Sequence, residues 1–425
     1  MRILLTGASG FIGRHLQAAL LGEGHHLVCT TRAPLKKATA RLAYLQADFT
    51  KDTDKSIWLA RLRGIDVVIN AVGILRESGR QSFAALHTET PCALFAACAE
   101  SDSVKLVIQL SALGADEGAE TAYHLSKRAA DDYLATLPLR AFIVQPSLVY
   151  GKDGASARIF KTLASLPFSA RFGTAPQPVQ PVHIDDVTAA IASLVRQPLP
   201  VAAGGATVLR VPLAGPEPLP FIDYLATLRA TMGLGKLHVL PLPRFLARMA
   251  AALRLGLLDP EALRMLDRGN VADPALITRL LGHAPRPPSR FINNPAAERV
   301  QAKLGWLLPV LRYALAFVWI ATAIVSAVFY PADLSYQLLA RTGVPDALQP
   351  LMLYGAAAFD LLLGLGILLL ARRRWLWLMQ LGLIGFYTVV IAWKLPEFLV
   401  HPYGPLIKNV PMLAAIWLLY ELEEK

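Results

Sequence analysis

The sequence predicts an α/β doubly wound parallel sheet with a small C-terminal lobe, followed by an all-α bundle of four transmembrane helices. Short apolar runs alternate with helical patterns as far as about residue 150, as in a parallel sheet covered by helices. A glycine-rich turn directly follows the first apolar run. The third observation is compositional, because 54% of the 425 residues are hydrophobic, only 17% are charged, and long uncharged runs follow Trp306.

Six apolar runs predict the strands of the sheet: Ile3–Thr6, Leu27–Thr30, Leu42–Gln46, Asp66–Asn70, Leu106–Leu110 and Ala141–Val144. Helical patterns lie between them at Phe11–Leu21, Phe83–Ala99 and Tyr123–Leu134. Further helical patterns at Pro220–Met232, Pro243–Leu253 and Pro260–Asp267 predict a smaller lobe, and Pro285–Pro295 predicts a linker. We therefore expect a first domain at residues 1–215, and a lobe with its linker at residues 216–300 that also takes parts of 150–190.

Membrane spans are predicted by three runs with at most one charge, Tyr313–Tyr330, Ala347–Ala371 and Trp375–Trp393, and less strongly by Pro405–Tyr420. We expect helices at about 310–330, 348–371, 375–394 and 405–421, within a membrane domain of residues 307–421. Buried helices of a large soluble core are the alternative. By the positive-inside rule, the basic loop Arg372–Arg374 and the basic residues before the first span place that loop and both termini in the cytoplasm.

Asp360 lies inside the second predicted span, where a carboxylate is costly and usually faces the interior of the bundle or a polar pathway. Lys408 or Arg312 could be its partner. A structural interhelical hydrogen bond and a quinone-linked or proton-linked role both stay open.

The net charge of +11 is compatible with nucleic acid or with an anionic membrane surface as a partner. Because no stripe of Lys and Arg interleaved with aromatic residues is present, the sequence favours the membrane bilayer and no nucleic acid. The cysteines Cys29, Cys92 and Cys98 lack the CxxC spacing, so neither a disulfide scaffold nor a metal site is predicted. The first apolar run is too short for a signal peptide.

The first predicted strand ends in the glycine-rich turn Thr6-Gly7-Ala8-Ser9-Gly10-Phe11-Ile12-Gly13, which also opens the first helix. Gly7 allows a tight turn, Gly10 lets the backbone approach a pyrophosphate, and Gly13 lets helix and strand pack closely. The N-terminus of the helix would face the phosphates with free N–H groups. The strand, loop and helix together predict a dinucleotide site, and an ordinary turn between strand and helix is the alternative.

The choice of cofactor is usually decided about 20 residues further along the chain, where this sequence has Thr31 and Arg32 and no acidic residue. Arg32 could pair with a 2′-phosphate, and Thr31 could hydrogen-bond it, so NADP is favoured and NAD is possible. Two later strand ends extend the predicted site. Asp48-Phe49 could meet the adenine edge, and Asn70-Ala71-Val72-Gly73 would lie beside the cofactor.

Tyr123 and Lys127 form a Y-x-x-x-K motif, whose spacing puts phenol and ammonium on one helix face. We expect this Lys and a nicotinamide cation to lower the pKa of Tyr123 from its ordinary value of about 10. Ser111, at the end of the fifth predicted strand, could hydrogen-bond a substrate carbonyl. An exposed amphipathic face is the alternative, but the order of the motifs predicts a catalytic set of Ser111, Tyr123 and Lys127.

These motifs resemble those of the short-chain dehydrogenases/reductases of the extended, atypical kind. The match runs from Thr6 to about Val187, and it includes Gln145-Pro146-Ser147-Leu148-Val149-Tyr150-Gly151 and Pro181–Val187. Leu110–Asp116 and Arg264–Val271 resemble the branch that includes the NADPH-binding accessory subunit of respiratory complex I. The membrane part resembles the DoxX-like four-helix family at Phe359–Gly364, His401–Pro405 and Lys408-Asn409.

The resemblance implies a Rossmann domain in which Ser111 polarises a carbonyl, Tyr123 transfers a proton, and Lys127 tunes Tyr123 and holds the ribose. The cofactor-binding residues that the motifs and the resemblance imply are Gly7, Ser9, Gly10, Phe11, Ile12, Gly13, Thr31, Arg32, Asp48, Phe49, Asn70, Ala71, Gly73, Tyr123, Lys127, Pro146 and Ser147. Gln145 stands where many members of the family carry Arg, which leaves the substrate contacts open.

The arrangement is similar to bacterial fusion proteins that join such an oxidoreductase to a DoxX-like tail. It implies a multi-pass protein of the bacterial inner membrane, with the Rossmann domain in the cytoplasm. We expect an NAD(P)H-dependent oxidoreductase that acts on a carbonyl or alcohol of a lipophilic small molecule. The alternative is a non-catalytic NADPH-binding scaffold, assembly or redox-sensing protein of a membrane redox complex, and epimerase or dehydratase chemistry also stays open.

Overall fold

A computed structural model describes residues 1–32, 38–172, 177–196, 207–242 and 260–423. The chain divides into two compact units, Met1–Ala302 and Lys303–Lys425. The helical pattern predicted at Pro243–Leu253 lies outside the described residues.

The first unit is built on a seven-stranded sheet whose pairings are all parallel. Its strands are β1 (Arg2–Thr6), β2 (His26–Thr31), β3 (Leu42–Gln46), β4 (Val67–Asn70), β5 (Leu106–Leu110), β6 (Arg140–Pro146) and β7 (Thr207–Leu213). They lie in the order β7-β6-β5-β4-β1-β2-β3. The chain thus builds one half of the sheet outward from β1 and the other half outward from β4. The carboxyl ends of β1 and β4 flank the switch point at which such sheets bind ligands.

The helices of this unit are α1 (Phe11–Gly22), α2 (Lys55–Arg61), α3 (Thr90–Glu100), α4 (Ala122–Thr136), α5 (Ala155–Ser165), α6 (Ile184–Arg196), α7 (Phe221–Thr231), α8 (Pro260–Arg268) and α9 (Ala275–Leu281). A π-helical segment, Ala84–Glu89, directly precedes α3. Because side chains of a strand alternate between faces, Ile3 and Leu5 pack with residues of α1 and α6, while Leu4 packs with residues of α2, α3 and α4. All three side chains are fully buried, as expected for a sheet covered on both faces.

A smaller core beside the sheet contains Tyr150, Tyr224 and Phe291, together with side chains of α5 and α7. The ring of Phe291 stacks on that of Tyr150 with a centroid distance of 4.8 Å. The segment predicted as the linker, Pro285–Pro295, therefore does not run free, because its Phe291 anchors it in this core.

The helices of the second unit are α10 (Pro295–Ile324, which begins within the first unit), α11 (Ala332–Thr342), α12 (Gln349–Leu369), α13 (Arg374–Lys394) and α14 (Asn409–Leu422). Three helical segments are long and apolar enough to cross a membrane: Pro295–Phe329, Asp346–Leu369 and Arg374–Lys394. The fourth predicted span corresponds to α14, which is apolar but has only 14 residues. The sequence did not predict α11, which lies in the expected first loop. The predicted fold class is confirmed.

The four apolar helices of the second unit share a core around Trp377, Leu363 and Ile416. The carboxylate of Glu423 forms salt bridges with the guanidinium groups of Arg312, at 3.0 Å, and Arg373, at 3.3 Å. The prediction that Arg312 is a partner of Asp360 is therefore wrong.

Candidate functional site

The glycine-rich turn has the geometry of a close backbone crossing. Gly7 has a φ of +70°, and a Cβ atom there would lie 2.5 Å from the carbonyl oxygen of Ala71. A Cβ atom on Gly13 would lie 2.1 Å from the carbonyl oxygen of Gly7. Gly13 thus lets α1 approach the turn itself, rather than the strand as the sequence suggested. Gly10 differs, because the closest atom to its Cβ position is the Gly7 oxygen at 3.2 Å.

The N-terminus of α1 is open to an anion. Its N-cap residue Gly10 provides no side-chain cap, and the first turn contains no acidic residue. The first N–H groups of a helix have no partner within the helix, so those of Phe11, Ile12 and Gly13 are donors for a phosphate. The ring of Phe11 is used otherwise, since it fills the space where a Cβ atom of Gly151 would stand. Ser9 is exposed beside this N-terminus.

Residues at the ends of β2 and β3 fulfil the predicted cofactor contacts only in part. Arg32 follows Thr31 at the end of β2 and is exposed; its guanidinium donates to the side-chain oxygen of Gln81 in the amide orientation that suits both groups. Asp48 accepts hydrogen bonds from the backbone N–H and the hydroxyl of Thr50, at 3.0 and 2.8 Å. Phe49 is buried, and its ring lies edge-on to that of Trp58; the adenine contact of Asp48-Phe49 stays a prediction.

The amide of Asn70 is also committed inside the protein. Its Oδ1 accepts from the Thr6 hydroxyl at 2.6 Å, and its Nδ2 donates to Gln109 at 2.7 Å. The side chain of Asn70 therefore ties the ends of β1, β4 and β5 together, and the predicted approach of its backbone to the cofactor stays a prediction. Ala71 and Gly73 follow, and Gly73 is exposed beside the Lys127 ammonium, which lies 3.2 Å from its Cβ position.

Pro146 and Ser147, the last predicted cofactor residues, are buried at the end of β6. The Ser147 hydroxyl donates to the carbonyl oxygen of Gln180 at 2.5 Å. The neighbouring Gln145 is buried too, and its Nε2 donates to the Ala115 carbonyl at 3.3 Å. The side chains of Ser147 and Gln145 therefore form hydrogen bonds that join the end of β6 to the segments of Gln180 and Ala115.

The helix α4 brings together the predicted catalytic pair. It begins after Thr121, whose side chain caps the backbone N–H of His124. Tyr123, Lys127 and Asp131 follow at intervals of four residues, so they share one face of the helix. The Lys127 Nζ atom donates to the carbonyl oxygens of Val72 at 3.1 Å and Leu110 at 2.9 Å. Because an ammonium has three protons, one donor of Lys127 remains.

Ser111 lies directly after β5, and its hydroxyl donates to the Oδ2 atom of Asp131. Asp131 is fully buried, and its Oδ1 atom has no hydrogen-bond partner among the described residues. The guanidinium of Arg210 lies 3.7 Å from Oδ2. Burial raises the pKa of Asp131 and lowers the pKa of Lys127. The proton of Ser111 is therefore committed to Asp131 as long as that carboxylate is ionised, which differs from the predicted role as a donor to substrate.

The Tyr123 ring lies edge-on to the rings of Phe83 and His87, with centroid distances of 6.1 and 5.6 Å. Burial, together with the charge of Asp131, raises the pKa of Tyr123 to about 12. The sequence-based expectation was a lowered pKa. The surrounding protein groups act in the opposite direction, because burial removes the hydration of the phenolate and the Asp131 carboxylate repels its charge.

His87 is a neighbour of the site that sequence reasoning missed. Its Nε2 accepts from the backbone N–H of Ile74 at 3.0 Å, so the proton of the neutral ring resides on Nδ1, which donates to the Ser126 hydroxyl at 2.9 Å. Burial lowers the pKa of His87 to about 3, with a further contribution from Lys127, so the ring stays neutral. His87 thus fixes the loop after β4 against α4. No motif marks it, because its partners lie 13 and 39 residues away.

No group of three or more His, Cys, Asp or Glu side chains that could hold a metal ion occurs within the part of the chain that the structure describes.

Comparisons with known proteins agree with this geometry. Residues 3–206 match the model of the NAD dependent epimerase/dehydratase family, and residues 316–417 match the DoxX-like family. The chain therefore carries an NAD-binding domain of the epimerase/dehydratase type, followed by a DoxX-like domain. The closer affinity to the complex I branch stays a prediction.

Three curated relatives each match part of the chain. The chain is 27% identical over 200 residues to a ceramide reductase of Caulobacter vibrioides, covering 46% of this chain and 62% of the relative. It is 37% identical over 82 residues to a 3 beta-hydroxysteroid dehydrogenase/Delta 5-->4-isomerase of Mycobacterium tuberculosis, covering 19% and 21%. A dihydroflavonol 4-reductase of Hordeum vulgare is 24% identical over 238 residues, covering 46% and 67%. The chain thus spans less than two thirds of the length of the first two.

Solved structures show the same fold. A nucleoside-diphosphate-sugar epimerase of Staphylococcus aureus superposes with a TM-score of 0.54 at 14% identity, covering 69% of this chain and all of that one. MoeE5 in complex with UDP-glucuronic acid and NAD gives a TM-score of 0.51 at 18% identity, covering 73% and 100%. At such identities the likeness concerns the fold alone. Together with the family matches, it supports the predicted NAD(P)-dependent enzyme with a membrane domain.

Proposed function

We propose that this protein is a membrane-anchored NAD(P)H-dependent oxidoreductase of the short-chain dehydrogenase type, which acts on a carbonyl or alcohol of a lipophilic substrate. The observation that carries the proposal is the pairing of Tyr123 with Lys127 on one face of α4, with Lys127 anchored at the ends of β4 and β5. These strand ends lie on the same edge of the sheet as the glycine-rich turn.

We assign cofactor binding to residues 1–215, and substrate contacts to residues 216–300 with parts of 150–190. The turn fits a dinucleotide, because the N-terminus of α1 has no side-chain cap and the Gly7 oxygen is the one described atom within 4 Å of the Cβ position of Gly10. Arg32 is the candidate reader of a 2′-phosphate, which favours NADP over NAD. When bound, the nicotinamide supplies or accepts a hydride at its C4 atom.

In the reductive direction, Tyr123 would donate its phenolic proton to the oxygen of the carbonyl as the carbon receives the hydride. Its raised pKa keeps the phenol protonated at neutral pH. Lys127 would stabilise the resulting phenolate. Its third N–H group would donate a hydrogen bond to a ribose hydroxyl. Ser111 could donate to the same carbonyl only when Asp131 is protonated, because its hydroxyl otherwise points at that carboxylate.

The lipophilic character of the substrate is supported by the names of two relatives, since ceramides and steroids are both lipophilic. A membrane tether suits such a substrate, because the bilayer concentrates it. We also propose the bacterial inner membrane as the location, with the first unit and both termini in the cytoplasm, since Arg372 and Arg373 lie in the loop between α12 and α13 and Arg374 begins α13.

The test measures whether the purified full chain in detergent oxidises NADPH in the presence of long-chain or polycyclic ketones. The loss of absorbance of the reduced cofactor gives the rate. Tyr123→Phe should lower the rate at least about 100-fold, within the range of one general acid. Tyr133→Phe, on the same helix and exposed, is the matched control and should leave the rate unchanged. Tight NADPH binding without turnover of any substrate would refute the proposal in favour of a cofactor-binding scaffold.

A further inference from the structure

The second unit contains a cavity that the proposed chemistry does not use. It has a volume of about 320 Å³ and is lined by residues of α10, α12, α13 and the start of α14. Trp319, Ile384 and Met412 form apolar parts of its wall. The volume is at the lower end of those of known small-molecule pockets, and an apolar wall with a few polar groups is typical of them.

Asp360 provides the first polar group of this cavity. It lies near the middle of α12 and is only 8% exposed. Its Oδ1 atom has no hydrogen-bond partner in the described residues. A buried carboxylate within an apolar helix of this kind costs several kcal/mol unless a partner satisfies it. The carboxylate therefore indicates a partner that the chain itself does not supply.

Lys408 provides the second charged group, and the uncharged polar side chains of Thr322, Tyr387 and Asn409 also line the cavity. It is the N-cap residue of α14, is exposed, and lines the same cavity. Among the described residues, its ammonium forms no ion pair with Asp360, for which the sequence left Lys408 as one possible partner. The cavity therefore presents an acceptor and a donor that do not satisfy each other.

These groups restrict the chemistry of an occupant. Lys408 disfavours a cation, and Asp360 disfavours an anion, since each would meet a like charge. A doubly charged occupant would lose the hydration of both charges against the apolar wall. A neutral molecule with an O–H donor for Asp360 and an oxygen acceptor for Lys408 avoids both costs. Val318, one of the lining residues, is 40% exposed on the surface of the second unit.

We propose that this cavity binds a neutral lipophilic molecule that carries a hydroxyl group and a carbonyl group, with the hydroxyl on Asp360 and the carbonyl oxygen on Lys408. The proposal concerns the second unit by itself and does not depend on the activity proposed for the first. The site would hold or deliver a hydroxyketone-type lipid from the bilayer.

The test uses the full chain in lipid nanodiscs and a photoreactive diazirine analogue of 1-hydroxydodecan-2-one. We expect labelled peptides within residues 316–417, and unlabelled 1-hydroxydodecan-2-one should compete at least tenfold better than dodecan-2-one or dodecan-1-ol. Asp360→Leu and Lys408→Met should each lower this specific labelling at least tenfold. Asp360→Asn, which keeps an acceptor and the shape of the side chain, should lower it less than Asp360→Leu does.

Asp333→Asn and Lys394→Met are matched controls, because both positions are exposed in the second unit and neither lines the cavity. They should leave the labelling unchanged. Equal competition by dodecan-2-one or dodecan-1-ol, labelling that Asp360→Leu does not change, or no labelling of this unit would each overturn the proposal. Because the readout is labelling of the second unit, a failure here leaves the turnover test with Tyr123→Phe untouched.

Discussion

Replacing Gly13 by Ala tests the nucleotide site at its most crowded point. The new Cβ atom would lie 2.1 Å from the carbonyl oxygen of Gly7 and 2.8 Å from its carbonyl carbon. Both are backbone atoms, so no side chain can rotate out of the way. The turn would have to retreat by about 0.9 Å to reach 3.0 Å, the shortest distance that Cβ atoms ordinarily tolerate. Such overpacking costs about 1–3 kcal/mol.

If NADPH requires the native turn, the free energy of this strain is lost from the binding free energy of NADPH. The Kd for NADPH should then rise about 5-fold to 150-fold in the Gly13→Ala variant. Calorimetric titration of the full chain in detergent measures it. Gly22→Ala, at the end of the same helix with no atom within 4 Å of its Cβ position, is the matched control. It should leave the Kd unchanged and stabilise the helix by up to about 1 kcal/mol.

A second variant separates loss of binding from loss of folding. In Gly10→Ala the Cβ atom meets the Gly7 oxygen at 3.2 Å, which a small adjustment relieves, but it projects into the space proposed for the pyrophosphate. We expect a melting temperature close to that of the wild type, with NADPH affinity reduced at least tenfold. Wild-type affinity in both Gly10→Ala and Gly13→Ala would refute the assignment of the pyrophosphate to this turn.

Three further predictions concern single side chains. Arg32→Ala should weaken NADPH binding about tenfold while the Kd for NADH changes little, and an equal loss for both cofactors would exclude Arg32 as the reader of a 2′-phosphate. Burial raises the pKa of Asp131, so the wild type should lose stability as the pH rises from about 4 towards neutrality, whereas Asp131→Asn should not. Melting temperatures of both proteins across this pH range measure the difference. Parallel pH dependences of the two melting temperatures would contradict the prediction. His87→Leu leaves the part-buried N–H of Ile74 without its acceptor and should lower the free energy of unfolding by about 1 kcal/mol in denaturant titrations. His87→Gln can still accept and should lower it less.

The strands of the first unit could be predicted where apolar runs are continuous, since both faces of a parallel sheet are covered. The strand β7 escaped prediction because its segment contains Arg210 and Pro212. It lies at the edge of the sheet, where one row of hydrogen-bonding groups needs no partner strand and proline is tolerated. The length of α14 was also overestimated, because hydropathy does not mark where a helix starts after a loop such as His401–Lys408.

Within the candidate site, position along the chain was predictable and side-chain direction was not. The glycine turn is local, so its spacing sufficed. Asn70 and Phe49 also stand at strand ends, but their side chains point into hydrogen bonds and packing with residues distant in sequence. Asp131 could have been noticed as the next residue on the face shared by Tyr123 and Lys127. Its bond with Ser111, 20 residues away, could not.

The protonation state of Tyr123 links the charge of the nicotinamide ring to the direction of the reaction. The surrounding protein holds the Tyr123 phenol in its protonated form, with a pKa raised to about 12. A protonated phenol is the donor that reduction of a carbonyl needs. Oxidation of an alcohol needs the phenolate instead, and a nicotinamide cation beside Tyr123 would favour that form. Tyr123 would therefore be the base beside an oxidised nicotinamide ring and the acid beside the uncharged reduced ring.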